Sequence, residues 1–452
     1  MPTRVRSAHV APDADEPSFE TLKTDKQFSK QYANLYWLRL VVLRQRVLER
    51  ARRVWEEGNL EGVANPPQHV KRLLEVQNGQ LCYVVGTLYV DMPLKPNVLE
   101  DLARDHHITA PPTRRKYHSV SDEIMLEDES GRVRLIGQKI ADQGGKFVTG
   151  TIIACLGAET STGDFEVFEF LYAGLPPQAP RPSEGEGEWV AIASGLEMGN
   201  STQVSDLRSE LLVEWLSGEA GGEEDEEEAT RVSRLILAGN SLAQPDLTFD
   251  DTKKKRYGYD SSLYTSKPTE TLDQFLSQLC PSMPVDLMPG ETDPTAPTMP
   301  QQPLHAAMLP GAREWENFEG RTNPWWCDLG GTTFLGTSGQ TVDDVFKYLE
   351  SEDRLEIAHH TLEWSHIAPT CPDTLWCYPF TDRDPFILDR TPHVYFIGNQ
   401  PEFATKLVEE HAEEDGGKKQ VRIIMVPRFC ETGQVVLVNT KSLEVKVVQF
   451  DA

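Results

Sequence analysis

Val190-Ala191-Ile192-Ala193-Ser194-Gly195-Leu196 opens a pattern that recurs three more times along the chain. Each copy is a short apolar run, strand-like in composition, that ends in a glycine turn. Leu235-Ile236-Leu237-Ala238 leads into Gly239-Asn240-Ser241, and Leu287-Met288-Pro289-Gly290 leads into Glu291-Thr292-Asp293. Val394-Tyr395-Phe396-Ile397 leads into Gly398-Asn399-Gln400. Hydrolases that work through two metal ions bring carboxylates and imidazoles to such positions, around ions about 4 Å apart. The ends here offer Ser194, Leu196, Asn240, Glu291, Asp293 and Asn399. Strand and turn are present; most of the chemistry is not.

These four segments resemble the metal-binding turns of calcineurin-like phosphoesterases, which carry Asp-x-His, Gly-Asp, Gly-Asn-His-Asp and Gly-His-x-His at the corresponding places. The resemblance implies a layered phosphoesterase-type domain that is catalytically inactive, with a vestigial pocket. Leu196 is apolar where a ligand is wanted. Asn240 and Asn399 are neutral and poor bridging ligands. Glu291 and Asp293 could hold one weak Mg²⁺ or Ca²⁺ through oxygen, but they read better as turn and helix-cap groups. His366, in Ser365-His366-Ile367-Ala368-Pro369, is either a surviving remnant or a satisfied structural group.

The 452 residues are enough for two or three domains with sizeable cores. Acidic residues number 71 against 44 basic ones, a formal net charge of −27. Nucleic acid is gripped mainly by neutralising its phosphates with Lys and Arg, so direct nucleic-acid contact is expected to be weak or absent. The seven cysteines (Cys82, Cys155, Cys280, Cys327, Cys371, Cys377 and Cys430) are scattered and form no C-x-x-C pair. They read as reduced thiols, with no metal cluster or other cofactor expected within the chain. The polar start is unlike a signal peptide, and no apolar run approaches the roughly 20 residues that cross a bilayer. A soluble intracellular protein without membrane attachment is expected.

Residues 1–26 read as a mobile polar tail. In the helical segment 27–78, Tyr32, Leu35, Tyr36, Leu40, Leu43 and Val47 recur mostly at three- or four-residue steps. Arg39, Arg44, Arg46, Arg50, Arg52 and Arg53 read as its solvated basic faces. Across 79–175 the period changes to two. Leu81–Val90, Glu123–Glu127, Val133–Ile136, Val148–Leu156 and Phe165–Leu171 predict five strands and an OB-fold β-barrel. Residues 176–188 read as a linker. Over 189–452 strands and helices alternate, which predicts the layered α/β domain and makes the whole a two-domain α+β and α/β chain. Helices are predicted around Leu207–Trp215, Leu272–Leu279 (with Thr271 and Gln274 spaced as a capping box) and Val342–Leu349 (with Thr341 as N-cap). Val421–Val426, Val435–Asn439 and Val445–Phe450 predict closing strands. Glu223–Glu228 reads as a solvated acidic loop, and Lys253-Lys254-Lys255-Arg256 as an exposed loop or a nuclear import signal.

Other chemistries find no motif: there is no phosphate loop, H-E-x-x-H or G-x-S-x-G elbow. His106-His107 and His359-His360 are adjacent, and neighbouring side chains on a helix or strand point apart, so neither pair predicts a metal clamp. Cys371 and Cys377 have no basic sequence neighbour to activate a thiolate. Asn323-Pro324-Trp325-Trp326-Cys327 predicts one Trp packed inward; the other, Trp325 or Trp326, is equally a candidate for a partner surface or for a core or loop-packing role. Trp376, in the apolar Leu375–Phe380 run, is a third candidate for a partner surface.

From the first predicted helix onward the chain resembles the family of small (B) subunits of eukaryotic DNA polymerase delta. The resemblance rests on Val285–Pro294, Pro300–His305, Phe334–Gln340, Ala368–Leu375, Cys377–Phe380, Asp384–Phe386 and Pro392–Phe396, with Val84–Tyr89 and Leu126–Glu129 in the barrel. It implies a non-catalytic subunit of the nucleus, acting in replication and repair synthesis. Its implied partners are the cysteine-rich C-terminal domain of the polymerase catalytic subunit and an elongated third subunit, through which it has an indirect link to the sliding clamp. Small subunits of archaeal replicases keep a working nuclease site; this sequence departs from them at the turns quoted above. Two alternatives remain at this level: a metal-dependent phosphodiesterase or nuclease using Glu291, Asp293 and His366, and a single-stranded DNA-binding module built on the barrel.

Overall fold

A computed structural model describes residues 9–10, 18–21, 30–57, 66–96, 114–142, 146–181, 187–199, 203–244, 266–411 and 418–451. The basic block Lys253–Arg256 and the pair His106-His107 lie outside the described residues. The chain divides into two compact units. A layered unit takes residues 1–26, 178–340 and 392–452, and a barrel unit takes residues 27–177 and 341–391. The sequence pattern predicts 341–391 within the layered domain; its contacts put it with the barrel.

Parts of the expected tail are anchored within the layered unit. A first strand, β1 (His9–Val10), pairs antiparallel with Leu329 and Asp328. Phe19 is buried, and Gln302 bonds both sides of it, donating to the Phe19 carbonyl and accepting from Thr21 N–H.

In the barrel unit, α1 (Ala33–Ala51) matches the predicted helix. After it come β2 (Gln68–His69), β3 (Cys82–Asp91), β4 (Glu123–Glu127), β5 (Arg132–Ile136), β6 (Ile152–Glu159) and β7 (Phe165–Leu171). Pairing runs β3 to β4 to β5 to β7 to β6 and back to β3, a closed five-stranded ring in which only β5 and β7 are parallel. This is the OB-type barrel that the period-two sequence predicts. Leu40, Leu43, Val47 and Ala51 of α1, with Trp55 just beyond, bury against Tyr83, Val85, Ile152, Ala154 and Leu156. Full burial of such a side chain contributes about 1.5–3 kcal/mol, so this apolar stripe fastens the helix to the barrel wall.

The layered unit is built on two six-stranded sheets. Its remaining elements are β8 (Trp189–Ala193), α2 (Gln203–Ser217), α3 (Glu223–Arg231), β9 (Val232–Ala238), α4 (Lys267–Leu279), β10 (Val285–Met288), β11 (Phe318–Gly320), β12 (Trp325–Leu329) and β13 (Thr332–Thr337). After the excursion into the other unit follow β14 (Val394–Gln400), β15 (Ala404–His411), β16 (Lys418–Pro427), β17 (Gln434–Asn439) and β18 (Val445–Gln449). One sheet has the order β1-β12-β13-β14-β16-β15 and the other β11-β10-β9-β8-β17-β18. Val190, Ile192, Ile236 and Met288 of the second sheet meet Trp325, Phe334, Phe396 and Ile424 of the first in one core. Ala191, Leu235, Leu237 and Leu287, on the other face of the second sheet, pack against Leu212, Trp215, Leu272 and Leu276 of the helices. Strands covered on both faces read as near-continuous apolar runs, which explains Leu235–Ala238 in β9 and Leu287-Met288 in β10; the buried charges among them, Arg234 of β9 and Asp286 of β10, pair with each other at 2.5 Å.

Helix starts differ from those the sequence predicts. α4 begins four residues before Thr271, whose hydroxyl bonds back to the Lys267 carbonyl. Thr341 is buried inside α5 (Gln340–Tyr348) rather than capping it. The acidic block is not a loop: Glu223–Glu228 opens α3, and the Asp225 carboxylate accepts from Gly222 N–H at 2.9 Å. Carboxylates in a first helical turn are stabilised by the positive end of the helix dipole.

Candidate functional site

The parallel, in-register strands β8, β9 and β10 bring three of the four turns level with one another. The turn inside β14 arrives from the opposite sheet. Hydrogen bonds tie all four together. Gly195 N–H donates to Gly239 O at 2.9 Å, Thr292 N–H to Asn240 Oδ1 at 3.2 Å, and Asn399 N–H to Ser194 Oγ at 2.9 Å. Asn399 Nδ2 reaches Ala238 O at 3.2 Å and Ser338 O at 2.8 Å. The turns are drawn together closely enough that a Cβ on Gly239, whose φ is +84°, would sit 2.4 Å from Ser338 Cβ. Asn240 (φ +53°) and Asn399 (φ +57°) are left-handed, a conformation Asn tolerates better than most residues. Their amides then bond neighbouring backbone, so both conformation and bonding suit the turn.

Most of the residues expected in the pocket have a structural occupation. Ser194 Oγ also faces Val426 O and Pro427 O at 3.2 and 3.1 Å. Leu196 is buried in the helix-side core. Asp293 accepts Leu242 N–H at 2.9 Å and Gly290 N–H at 2.8 Å, clamping the second and third turns. Burial raises its carboxyl to about 6, against the lowering by backbone N–H donors. Glu291 is exposed. His366 belongs to the barrel unit, where its Nε2 lies 2.9 Å from Asp384 and its Nδ1 accepts Ala368 N–H at 3.2 Å. With Nδ1 accepting, the ring is neutral and donates to Asp384. Burial and the Arg39 guanidinium push its pKa down to about 4.

Sequence reasoning missed a neutral amide cluster beside the turns. Asn323 Nδ2 approaches Gln301 Oε1 at 2.8 Å and Ser338 Oγ at 2.7 Å, and Gln340 Nε2 reaches Gln301 Oε1 at 3.0 Å. Gln301 in turn holds Gly290 O at 3.0 Å. Gln301 and Gln340 stand in the motifs that carry the resemblance, so a signal was present. Catalytic carboxylate pairs are spaced by charge and metal; here uncharged donors and acceptors satisfy one another.

The tryptophans divide differently from the expectation. Trp325 and Trp326 are both buried, at 6% and 5% exposure, so neither offers a docking face. They lie in β12, an interior strand of its sheet, where successive side chains alternate between two covered faces. Trp376 is 41% exposed and remains available. Among the helix arginines, Arg52 and Arg53 are exposed as expected, but Arg39 is not on a solvated face. Arg39 is wholly buried: Nε donates to Asp384 at 2.8 Å, Nη1 to Pro369 O at 2.8 Å and Nη2 to Cys371 O at 2.9 Å. Cys371 is buried too, and its thiol is held well above the ordinary range, which does not suit a nucleophile.

Comparison with known proteins bears on the same two regions. Residues 31–170 match the family model described as the DNA polymerase delta subunit OB-fold domain, and residues 190–405 match that of the DNA polymerase alpha/epsilon B subunits. The DNA polymerase delta small subunit of Oryza sativa subsp. japonica is 37% identical over 429 residues, covering 95% of each chain. That of Arabidopsis thaliana is 38% identical over 93% of this chain and 91% of its own. The Saccharomyces cerevisiae small subunit is 35% identical over 96% of this chain and 92% of its own. The chain belongs to the DNA polymerase delta small-subunit family. Membership makes it an accessory subunit of the polymerase delta complex and not its catalytic subunit. Its domains are an OB-fold and a phosphoesterase-like domain. Among the described residues no helix is long and apolar enough to cross a membrane.

Proposed function

We propose that this small subunit is a scaffold without chemistry of its own. It joins the cysteine-rich C-terminal domain of the polymerase delta catalytic subunit to an elongated third subunit, and through the latter is linked indirectly to the sliding clamp. It works in the nucleus, in replication and repair synthesis, with no cofactor needed for that joining role and little direct contact with nucleic acid.

One observation carries this reading: the phosphoesterase turns are bonded to one another through Ser194, Asn240, Asp293 and Asn399, so the groups at the strand ends serve the fold. The net charge of −27 argues in the same direction, against a nucleic-acid grip. Exposed Trp376 is the aromatic best suited to anchor a partner. The test is binding of the full chain to the catalytic C-terminal domain, beside Mn²⁺-dependent hydrolysis of a phosphodiester. The scaffold reading requires co-purification without turnover. Hydrolysis abolished by Glu291→Ala with Asp293→Ala, or failure to co-purify, overturns it.

A further inference from the structure

Helix α6 (Arg354–Glu363) carries a cluster that the turn chemistry does not use. Adjacent histidines on a helix are expected to point apart. On α6 the rings of His359 and His360 instead lie nearly parallel, 6.1 Å between centroids, and both lean toward Glu356 one turn earlier. Helical side chains tilt toward the N-terminus, so residues three and four positions on can share one neighbour. His359 Nδ1 lies 3.6 Å from Glu356 Oε1 and His360 Nε2 lies 3.9 Å from the same oxygen. One ligand atom from each of the three residues falls within 4.8 Å of the other two.

The second nitrogen of His360 decides how the first is used. Nδ1 is 2.9 Å from Glu363 Oε2; a carboxylate can only accept, so Nδ1–H donates to Glu363 and the Nε2 lone pair is left directed toward Glu356. A carboxylate behind a histidine, fixing its tautomer and raising its basicity, is the usual outer support of a metal-bound imidazole. The ring is also held by Trp364, nearly parallel at 6.0 Å and fully buried. His360 is therefore a prepared ligand, while His359 and Glu356 stand at the half-buried rim.

We propose that Glu356, His359 and His360 bind one divalent transition-metal ion, zinc foremost. Two imidazoles and one carboxylate form a zinc donor set that leaves a fourth position to water. Tetrahedral zinc with bonds of about 2.0–2.1 Å sets its ligand atoms roughly 3.4 Å apart. The two separations from Glu356 Oε1, 3.6 and 3.9 Å, lie near that value, and the third, between the histidines, lies within 4.8 Å, so side-chain rotations that draw the two rings together would close the set. Alkaline-earth ions, which prefer six or more oxygens, do not fit this set.

Calorimetric titration of the full chain with Zn²⁺ alone tests the site. The unmodified chain should take up one more ion than His359→Ala and Glu356→Ala, and Zn²⁺ should raise its melting temperature but not theirs. Glu363→Gln should keep the stoichiometry and weaken binding about 10-fold or more. Crystals soaked in Zn²⁺ should show an anomalous peak about 2 Å from His360 Nε2. If one variant does not fold, the other gives the same reading, since Glu356 lies at the rim. Equal Zn²⁺ uptake by all three chains, or an anomalous peak found only elsewhere, overturns the proposal.

Discussion

Arg39→Met should be the most damaging single change in the barrel unit. The methionine keeps the apolar stem but removes a guanidinium that has no solvent exposure and bonds Asp384, Pro369 O and Cys371 O. Asp384 then keeps only the neutral His366 donor, the Phe386 N–H at 3.1 Å and no compensating cation. Removing one partner of a buried pair costs about 3–5 kcal/mol, because the other charge stays buried without compensation. Hydrogen exchange of the α1 amides measures this as local opening. At about 1.4 kcal/mol per decade the expected acceleration lies between roughly 10² and 4 × 10³-fold. Arg44→Met is the control. Its partner Glu129 is 46% exposed, and pairs of that kind contribute about 0–1 kcal/mol. Adding Asp384→Asn to Arg39→Met should recover part of the loss, since it removes the stranded charge. An acceleration below about 10-fold for Arg39→Met, or one equal to that of Arg44→Met, would refute the claim that this ion pair fastens the helix.

Acid should loosen the same region. His366 is neutral in the fold with its pKa lowered to about 4, against an ordinary 6.5. The unfolded chain therefore binds the extra proton first as pH falls, and this contribution of about 3 kcal/mol is present above pH 6.5 and lost towards pH 4. His366→Gln should flatten that part of the stability profile; an unchanged profile counts against the neutral assignment. Asn399→Asp should not recover a catalytic ligand. It exchanges two donated hydrogen bonds for a charge facing Ala238 O and Ser338 O, and should cost more than about 2 kcal/mol in thermal unfolding. Asp225→Ala should lower stability by about 0.5–1 kcal/mol through the lost bond to Gly222 N–H, a loss absent if the acidic block were a loop. Trp376→Ala should leave the melting temperature unchanged and lower affinity for the catalytic subunit about 30-fold, the effect of losing a hot spot of roughly 2 kcal/mol; unchanged affinity removes Trp376 from the interface.

The barrel strands and the runs β8, β9 and β14 were legible because burial on one or both faces leaves a direct mark on composition. Arg39 was legible in principle. It stands at the four-residue step Leu35, Arg39, Leu43, Val47, on the buried stripe itself, but a charge there looks like an interruption until its partner 345 residues away is known. The acidic helix was hidden for a different reason: a uniform run carries no periodicity, and only the preceding Gly222 marks its start. At the candidate site the sequence showed which ligands had been replaced. It could not show that Asn240, Asp293 and Asn399 bond neighbouring turns, since those partners come from separate strands. The stacking of His359 on His360 was not legible, because helical neighbours are not fixed spokes and a shared residue one turn back draws both rings.

The barrel unit is completed by a segment borrowed from late in the chain. Residues 341–391 join 27–177, while the layered unit is interrupted to let them leave and return. Neither unit can therefore be cut out as one continuous fragment, and a truncation between them removes something from both. During synthesis Arg39 emerges long before Asp384. At about 5–20 residues per second the intervening 345 residues take roughly 20–70 s to make. For that interval the first helix carries a cation whose permanent counterpart has not been translated, so the barrel reaches its final form only when three-quarters or more of the polypeptide already exists.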